Sequence, residues 1–249
     1  MKRGASAIFK GQISKDERYM IVFSQLSHLY QQKLALENIN LSIEARTLTA
    51  IVGPNGAGKS TFLKIIAGLI KPSQGHFSCQ NSFNLAYLPQ QSSLDKTFPL
   101  SVKDIVSMGF WPQLGVGKGM NLAQQYTLEH TLEVMGLKSV ANHSLDTLSG
   151  GQFQRVLFAR LMLQDADVLL LDEPFSAVDE ATTQELLGLL QHWHQQGKTI
   201  LAVMHNLSLV RHFFPKTLLL AKNLVAYGPS EEILIADNLL RAHGMMGAS

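Results

Sequence analysis

One glycine-rich run has the residue types and the spacing for phosphate chemistry. It reads Gly53-Pro54-Asn55-Gly56-Ala57-Gly58-Lys59-Ser60-Thr61 and fits the pattern G-x-x-x-x-G-K-[ST]. Glycines let backbone N–H groups approach an anion with no side chain in the way, and a helix that begins there aims its positive end at the same point. Lys59 would reach the β- and γ-phosphates of a nucleoside triphosphate, and the Ser60 hydroxyl would ligate Mg²⁺. The run therefore predicts a nucleotide site.

The segments on either side of this run predict the elements that such a site needs. Leu48-Thr49-Ala50-Ile51-Val52 is a short apolar run of strand-forming residues, and apolar residues recur at helical spacing after the glycines as far as Leu69. Strand, glycine loop and helix in this order form a phosphate-binding unit. The alternative, a chance glycine loop, would not require these flanks.

A second apolar run ends in two acidic residues. Asp167-Val168-Leu169-Leu170-Leu171 is followed by Asp172 and Glu173, and a continuous apolar run of this kind predicts a buried parallel strand. Open α/β sheets bind ligands at the carboxyl ends of their strands. Asp172 is placed to hold Mg²⁺ through water, and Glu173 to polarise an attacking water as a general base. The alternative is a pair of surface acids that close a strand.

Two side chains elsewhere could also meet a nucleotide, and each has an ordinary alternative. His205 follows the predicted buried strand Thr199–Met204, where it could hydrogen-bond a γ-phosphate, although a lone histidine is usually structural. Tyr30 lies upstream of the glycine run, where its ring could stack on a nucleobase. Taken alone, that position favours the alternative, an ordinary half-buried tyrosine.

The segment Leu148-Ser149-Gly150-Gly151-Gln152 predicts a helix start that could face an anion. Ser149 and Gln152 have capping-box spacing, and the two glycines between them would expose unpaired N–H groups. A plain helix cap is the alternative.

Composition sets bounds on the class of protein. The 249 residues suffice for one large or two modest domains, and 46% hydrophobic content supports a sizeable core. The net charge of +2 gives no argument for a nucleic-acid partner. Cys79 is the single cysteine, which excludes a disulfide within the chain. No apolar run approaches the ~18 residues of a membrane span, and Met1–Lys10 lacks the apolar stretch of a secretion signal. We therefore expect a soluble chain that meets a membrane only through a partner.

Patterns along the chain predict its organisation. Residues 1–18 are polar and without periodicity, which indicates a mobile tail. From about residue 90 to 160 the pattern is mostly helical, with helix starts predicted at Ser101 and Asn121 and a flexible link at Gly115–Gly119. Lys216–Ala226 is strand-like, and a polar helical tail follows it.

The sequence His192-Trp193-His194 invites a metal-site interpretation, but residues i and i+2 of a helix do not share a face. We interpret it as part of a solvated helix.

Taken together, the motifs resemble the ATP-binding cassette family of transport ATPases, over nearly the whole chain after residue 18. Gly53–Thr61 is similar to the Walker A loop, Leu148–Gln152 reads LSGGQ, the family signature, and Val168–Glu173 is similar to Walker B with the catalytic glutamate. The resemblance extends to Gln90 as the Q-loop glutamine, Asp179 as the D-loop aspartate, His205 as the switch histidine and Tyr30 as the base-stacking aromatic. One departure is Asn206, where an aspartate often follows the histidine.

The resemblance implies a fold and an assembly. It implies an α/β, RecA-like P-loop NTPase core with a small antiparallel β region and an inserted α-helical subdomain at about residues 90–162, within a single ATPase domain over residues 19–249. It also implies a homodimer in which each ATP lies between the Walker A loop of one subunit and the LSGGQ helix of the other. Lys59, Gln90, Glu173 and His205 would form the catalytic set, and Ser60, Gln90 and Asp172 would hold the Mg²⁺. Partners would be integral-membrane permease subunits and, indirectly, an extracytoplasmic binding protein, with no nucleic acid. The chain would be peripheral on the cytoplasmic face of the inner (plasma) membrane.

A finer resemblance concerns the transported substrate. The segment from Leu88 to Gly109, and Phe153 directly after the signature, are similar to the zinc, manganese and iron import branch of the family. This predicts an importer of divalent metal, zinc or manganese first, with Leu88–Gly109 gripping the membrane subunit. The open alternatives are the same ATPase role for iron chelates or cobalamin, a soluble cassette ATPase acting on DNA or ribosomes, and a P-loop kinase or GTPase.

Overall fold

The structure is a computed structural model of the 249-residue chain. It describes residues 19–79, 83–91, 99–114, 119–176 and 178–247. The predicted tail at 1–18, residues 115–118 of the predicted link and residues 92–98 of the segment similar to metal importers lie outside the described residues.

A small antiparallel sheet is formed by the amino-terminal part of the chain. It consists of β1 (Tyr19–Tyr30), β2 (Lys33–Glu44) and β4 (Gln74–Cys79), with β1 in the middle. β1 pairs antiparallel with both neighbours. This sheet confirms the predicted antiparallel β region.

A larger sheet carries the strands that end at the predicted site. Its members are β3 (Leu48–Val52), β5 (Leu85–Leu88), β6 (Val168–Asp172), β7 (Thr199–Val203), β8 (Lys216–Ala221) and β9 (Asn223–Pro229). The order is β5-β6-β7-β3-β8-β9, with parallel pairing from β5 to β8. β3, β6 and β7 are buried at every residue, as expected for strands covered on both faces. Their carboxyl ends meet at one edge, where the predicted site residues follow them.

The helices confirm several predicted starts. They are α1 (Lys59–Ile66), α2 (Val102–Ser107), α3 (Trp111–Leu114), α4 (Leu122–Val134), α5 (Gly150–Gln164), α6 (Glu180–Gln195), α7 (Leu207–Phe213), α8 (Ser230–Ile233) and α9 (Ala236–Gly247). Ser101, Asn121 and Ser149 each form the predicted capping box, in which the side chains at the cap and at the third helical position bond each other's backbone N–H groups. α2 to α4 fall within residues 90–162, and α5 begins within that range and ends at Gln164. The division of the chain into a core and a helical subdomain stays a prediction.

The large sheet separates two cores. α1 and the small sheet cover one face, where Phe23 and Phe62 pack with ring centroids 4.8 Å apart. α2, α4, α5 and α6 pack on the other face. Alternate residues of β6 point to opposite cores, with Val168 and Leu170 toward α1 and Leu169 and Leu171 toward α5. The arrangement confirms the predicted α/β class.

Two expectations about the carboxyl-terminal region need correction. Lys216–Ala226 is not one strand, because the chain turns at Lys222 (φ +62°) and β9 returns antiparallel beside β8. The polar helical tail is also more integrated than expected, since Ile233, Leu234 and Ala242 are buried against the core. Within the described ranges, no helix is both long and apolar enough to span a membrane.

Candidate nucleotide-binding and catalytic site

The glycine run connects β3 to α1, and its conformation requires glycine at two positions. A Cβ at Gly53 would lie 2.0 Å from the carbonyl oxygen of Leu220, and one at Gly58 would lie 2.4 Å from that of Ala35. Gly58 also has φ +90°, in the left-handed region that favours glycine. The loop is therefore held tightly against neighbouring backbone, and α1 begins directly after it at Lys59.

Lys59 is folded back onto its own loop. Its ammonium donates hydrogen bonds to the carbonyl oxygens of Gly53 (2.8 Å) and Pro54 (2.9 Å), and the residue is buried. Burial lowers the pKa of Lys59, while the charges of Glu173 and Asp172 oppose that change. The positively charged ammonium of Lys59 therefore lies inside the loop, near the place where phosphate oxygens would bind.

Asp172 ends β6 with both carboxylate oxygens hydrogen-bonded. The Ser60 hydroxyl donates to Oδ1 at 2.9 Å, and the Tyr87 hydroxyl donates to Oδ2 at 3.3 Å. Burial raises the pKa of the Asp172 carboxyl, and the hydrogen bonds from Ser60 and Tyr87 act in the opposite direction. Hydroxyl and carboxylate oxygens are the donors that Mg²⁺ prefers, so this pair fits the predicted metal role. The structure brings Ser60 and Asp172 together as predicted, and it adds Tyr87.

Glu173 is surrounded by hydrogen-bond donors. His205 Nε2 lies 2.8 Å from Oε1, while Gln90 Nε2 (2.9 Å) and Ser176 Oγ (3.2 Å) donate to Oε2. Burial by itself would raise the pKa of Glu173, but the hydrogen bonds from His205 and Ser176 and the charges of His205 and Lys59 leave it lowered. The backbone of Glu173 is in the left-handed region at φ +53°, which is uncommon outside glycine and is found at functional sites. Three predicted residues, Gln90, Glu173 and His205, therefore meet at one carboxylate.

The signature segment forms the start of α5. Ser149 accepts a hydrogen bond from the Gln152 N–H (3.2 Å), and its own N–H donates to Gln152 Oε1 (3.0 Å). A Cβ on Gly151 would lie 2.9 Å from Asp179 Oδ2, so the signature helix and the start of α6 are adjacent. Asp179 caps α6 by accepting from the Thr182 N–H (2.9 Å), and this bond lowers the pKa of Asp179.

The remaining predicted positions behave in different ways. Tyr30 ends β1 with 44% of its surface exposed, and its ring lies edge-on to His28 with centroids 4.6 Å apart. The His-Trp-His segment lies on α6 and is not wholly solvated as expected, because Trp193 is buried against Phe158. His194 Nε2 lies 3.1 Å from the carbonyl oxygen of Arg46, and the described residues include no His/Cys/Asp/Glu cluster suited to a metal ion.

Sequence reasoning missed Tyr87 and Ser176. Neither belongs to a motif identified in the sequence, and Tyr87 reaches Asp172 only because β5 lies beside β6. Prediction of the Tyr87–Asp172 contact would have required knowledge of the strand order.

Comparison with known proteins decides the family. The family model described as ABC transporter matches residues 36–176, which is more than half of the chain. The chain belongs to the ABC transporter family. As a member it is an ATP-binding ATPase subunit, and the predicted RecA-like fold is confirmed.

Relatives of known name align with this ABC subunit over most of their length. It is 42% identical over 236 residues to a probable metal transport system ATP-binding protein of Chlamydia pneumoniae, covering 92% of this chain and 91% of the relative. It is 38% identical to the manganese transport system ATP-binding protein MntB of Listeria innocua (88% and 94% covered) and 36% identical to the zinc transport system ATP-binding protein TroB of Treponema pallidum (91% and 87% covered).

Solved structures share the same architecture. An inward-facing ABC transporter described as metal-chelate type is 29% identical with a TM-score of 0.80, covering 91% of this chain and 89% of that chain. The dimeric ATP-binding cassette MJ0796 in a post-hydrolysis state with ADP and Pi is 26% identical with a TM-score of 0.75, covering 85% and 99%.

Proposed function

We propose that this subunit hydrolyses ATP to power a membrane importer of divalent metal, zinc or manganese. The observation that carries the ATPase part is the Glu173 carboxylate, held by His205 and Gln90 at the sheet edge where Ser60 bonds Asp172. A base, a phosphate cradle and a pair of hard oxygen donors share that edge. The relatives named above support the metal part.

The chain's own groups divide the chemistry among them. Backbone N–H groups of Gly53–Thr61 and the ammonium of Lys59 bind the phosphates, with Lys59 exchanging its two loop carbonyls for phosphate oxygens. The exposed ring of Tyr30 offers a face for the base to stack on. Glu173 orients the attacking water and accepts its proton, while His205 fixes the Glu173 carboxylate and reaches the γ-phosphate. Ser60, Gln90 and Asp172 would hold Mg²⁺, which supplies charge neutralisation on the phosphate oxygens.

A second copy of the chain would complete each site. Ser149, Gly150, Gly151 and Gln152 form a helix start. The N–H groups of Gly150 and Gly151, which take no part in the Ser149–Gln152 capping box, would meet the γ-phosphate bound to the partner subunit. Asp179 lies beside Gly151 and would enter the same interface. ATP would then favour the closed pair, and hydrolysis would remove that preference. The dimeric solved cassette supports this arrangement.

The transported metal would bind elsewhere, on permease subunits and an extracytoplasmic binding protein. This subunit would be peripheral on the cytoplasmic face of the inner membrane and would grip the permease through the segment that follows Gln90. Likeness to a transporter described as metal-chelate type favours a second candidate cargo, an iron chelate or cobalamin.

Two experiments test the proposal. The first is to purify the subunit with the membrane proteins that accompany it, to identify the permease, and to measure ATP hydrolysis by the complex with and without Mg²⁺. The second is to delete the subunit and measure cellular zinc and manganese under scarcity of each. Restoration by the wild-type chain but not by Glu173→Gln is expected. Unchanged levels of both metals, in cells without a redundant importer, would favour the chelate cargo.

A further inference from the structure

We infer that Tyr87 is a positioning residue for the Asp172 carboxylate, and thereby for the Mg²⁺ that Asp172 and Ser60 would hold. This inference rests on the proposed function. Its basis is one contact, the Tyr87 hydroxyl 3.3 Å from Asp172 Oδ2.

The sheet register places Tyr87 on the correct face. β5 runs parallel to β6, with Tyr87 opposite Leu170, and neighbouring residues of paired strands point to the same side of the sheet. Leu170 and Asp172 are two residues apart and so share that side, which faces α1. The long phenol ring spans the two-residue step and brings its hydroxyl to the carboxylate.

The two donors on Asp172 are not equivalent. The Ser60 hydroxyl, on Oδ1, is a predicted metal ligand, so its bond to Asp172 changes when metal and nucleotide bind. The Tyr87 hydroxyl, on Oδ2, is a poor ligand for Mg²⁺ while it keeps its proton. A phenol hydroxyl keeps its proton at neutral pH, so it can go on donating to the carboxylate. Tyr87 can therefore hold Oδ2 throughout the cycle and leave Oδ1 directed at the metal.

A carboxylate with one oxygen fixed loses its freedom to rotate. Asp172 is only 3% exposed, so water has little access to replace the Tyr87 donor. Loss of the hydroxyl would leave Oδ2 without this donor and would let the carboxylate rotate away from Ser60. Mutation of a residue that orients a metal-holding group in this way typically lowers metal affinity by 10- to 100-fold.

Tyr87→Phe tests the inference because it removes only the hydroxyl. The measurement is binding of a fluorescent ADP analogue to the full-length protein, titrated with Mg²⁺ and repeated in EDTA. We expect the Mg²⁺ concentration for half-maximal effect to rise roughly 10-fold, at the low end of that range because the hydrogen bond is long. Affinity in EDTA should be unchanged. In hydrolysis assays kcat should fall at low Mg²⁺ and recover at high Mg²⁺, with KM for ATP unchanged at saturating metal.

Tyr227→Phe is the matched control. Tyr227 is also a partly buried tyrosine of the large sheet, on β9, away from the metal-holding pair. The Tyr227→Phe substitution should leave the midpoint of the Mg²⁺ titration unaltered. Tyr87→Met, which also lacks the donor, repeats the test if Tyr87→Phe does not fold. An unchanged Mg²⁺ midpoint in a folded Tyr87 variant would overturn the inference. Wild-type protein whose nucleotide affinity and hydrolysis ignore Mg²⁺ would overturn the proposed function instead.

Discussion

The assignment of Glu173 as the base makes a quantitative prediction for Glu173→Gln. Glutamine has the same shape, and its carbonyl oxygen can still accept the hydrogen bond that His205 makes to Oε1 at 2.8 Å. Its NH₂ group can donate to the Ser176 hydroxyl, which now lies 3.2 Å from Oε2. The side-chain amide of Gln90, whose NH₂ group now donates to Oε2 at 2.9 Å, can turn over so that its carbonyl oxygen accepts from the new NH₂ group. The surrounding structure should therefore survive. What is lost is the basic oxygen that accepts the proton of the attacking water.

The size of the loss follows from the usual contribution of a general base. Proton transfer by a positioned group is worth about 10²- to 10⁴-fold in rate, which corresponds to roughly 3 to 5 kcal/mol of activation free energy. ATP affinity should be preserved or increased, because the phosphate-binding groups are unchanged. The variant should accumulate as a nucleotide-bound dimer, since hydrolysis would be the step that opens it.

Steady-state phosphate release, nucleotide affinity and sedimentation in the presence of ATP measure these three quantities. Glu180→Gln is the control, because Glu180 lines the same cavity as Glu173 but stands exposed in the first turn of α6. Its turnover should match that of the wild type. If Glu173→Gln hydrolysed ATP at the wild-type rate, Glu173 would not be the general base.

The lowered pKa of Glu173 adds a pH prediction. A lowered pKa means that the carboxylate stays ionised below its ordinary value of 4.5. The base should therefore remain active over the neutral and mildly acidic range and be lost only as pH falls through the folded-state pKa. Loss of His205 removes a hydrogen bond that lowers this pKa, so His205→Ala should shift the acidic limb of the kcat profile to higher pH. An unmoved limb would contradict that assignment.

Three further substitutions test other parts of the site. Lys59→Ala should weaken ATP binding by about 10- to 100-fold, since a hydrogen bond to a charged group contributes about 1.5–3 kcal/mol; equal affinity by calorimetry would count against the cradle. Gly58→Ala should lower the free energy of unfolding by about 1–3 kcal/mol because of its positive φ and the clash with Ala35, and an unchanged thermal midpoint would contradict the loop geometry. Tyr30→Ala should weaken nucleotide affinity by about 1–3 kcal/mol of stacking while Tyr30→Phe retains it; equal loss in both would reject the platform.

Much of the site could be predicted from the sequence because its residues follow the chemistry of short segments. The glycine run, the acids Asp172 and Glu173 at the end of β6, and His205 after β7 each lie where a strand ends, and parallel strands bring those ends together. The capping boxes at Ser101 and Asn121 are equally local. Local patterns need no knowledge of which strands are neighbours.

The rest depends on tertiary neighbours. Tyr87 acquires its contact from the pairing of β5 with β6, and Ser176 acquires its contact from the turn after Glu173. Both are ordinary residues in the sequence. The strand-like run at Lys216–Ala226 hid a turn at Lys222, because a lysine gives no sign that its backbone will take φ +62°. The buried face of α9 could not be predicted either, because a helix with few apolar residues can still pack against the apolar side chains of a sheet.

The inward-turned ammonium of Lys59 has a consequence for the strength of nucleotide binding. A phosphate oxygen that accepts a hydrogen bond from this ammonium must displace the carbonyl oxygen of Gly53 or Pro54, to which the ammonium already donates. The net gain per contact is therefore smaller than a tally of salt bridges would indicate, and release of spent ADP is correspondingly easier. A loop whose own carbonyl oxygens hydrogen-bond the lysine when no nucleotide is bound suits a subunit that must release its product in every cycle.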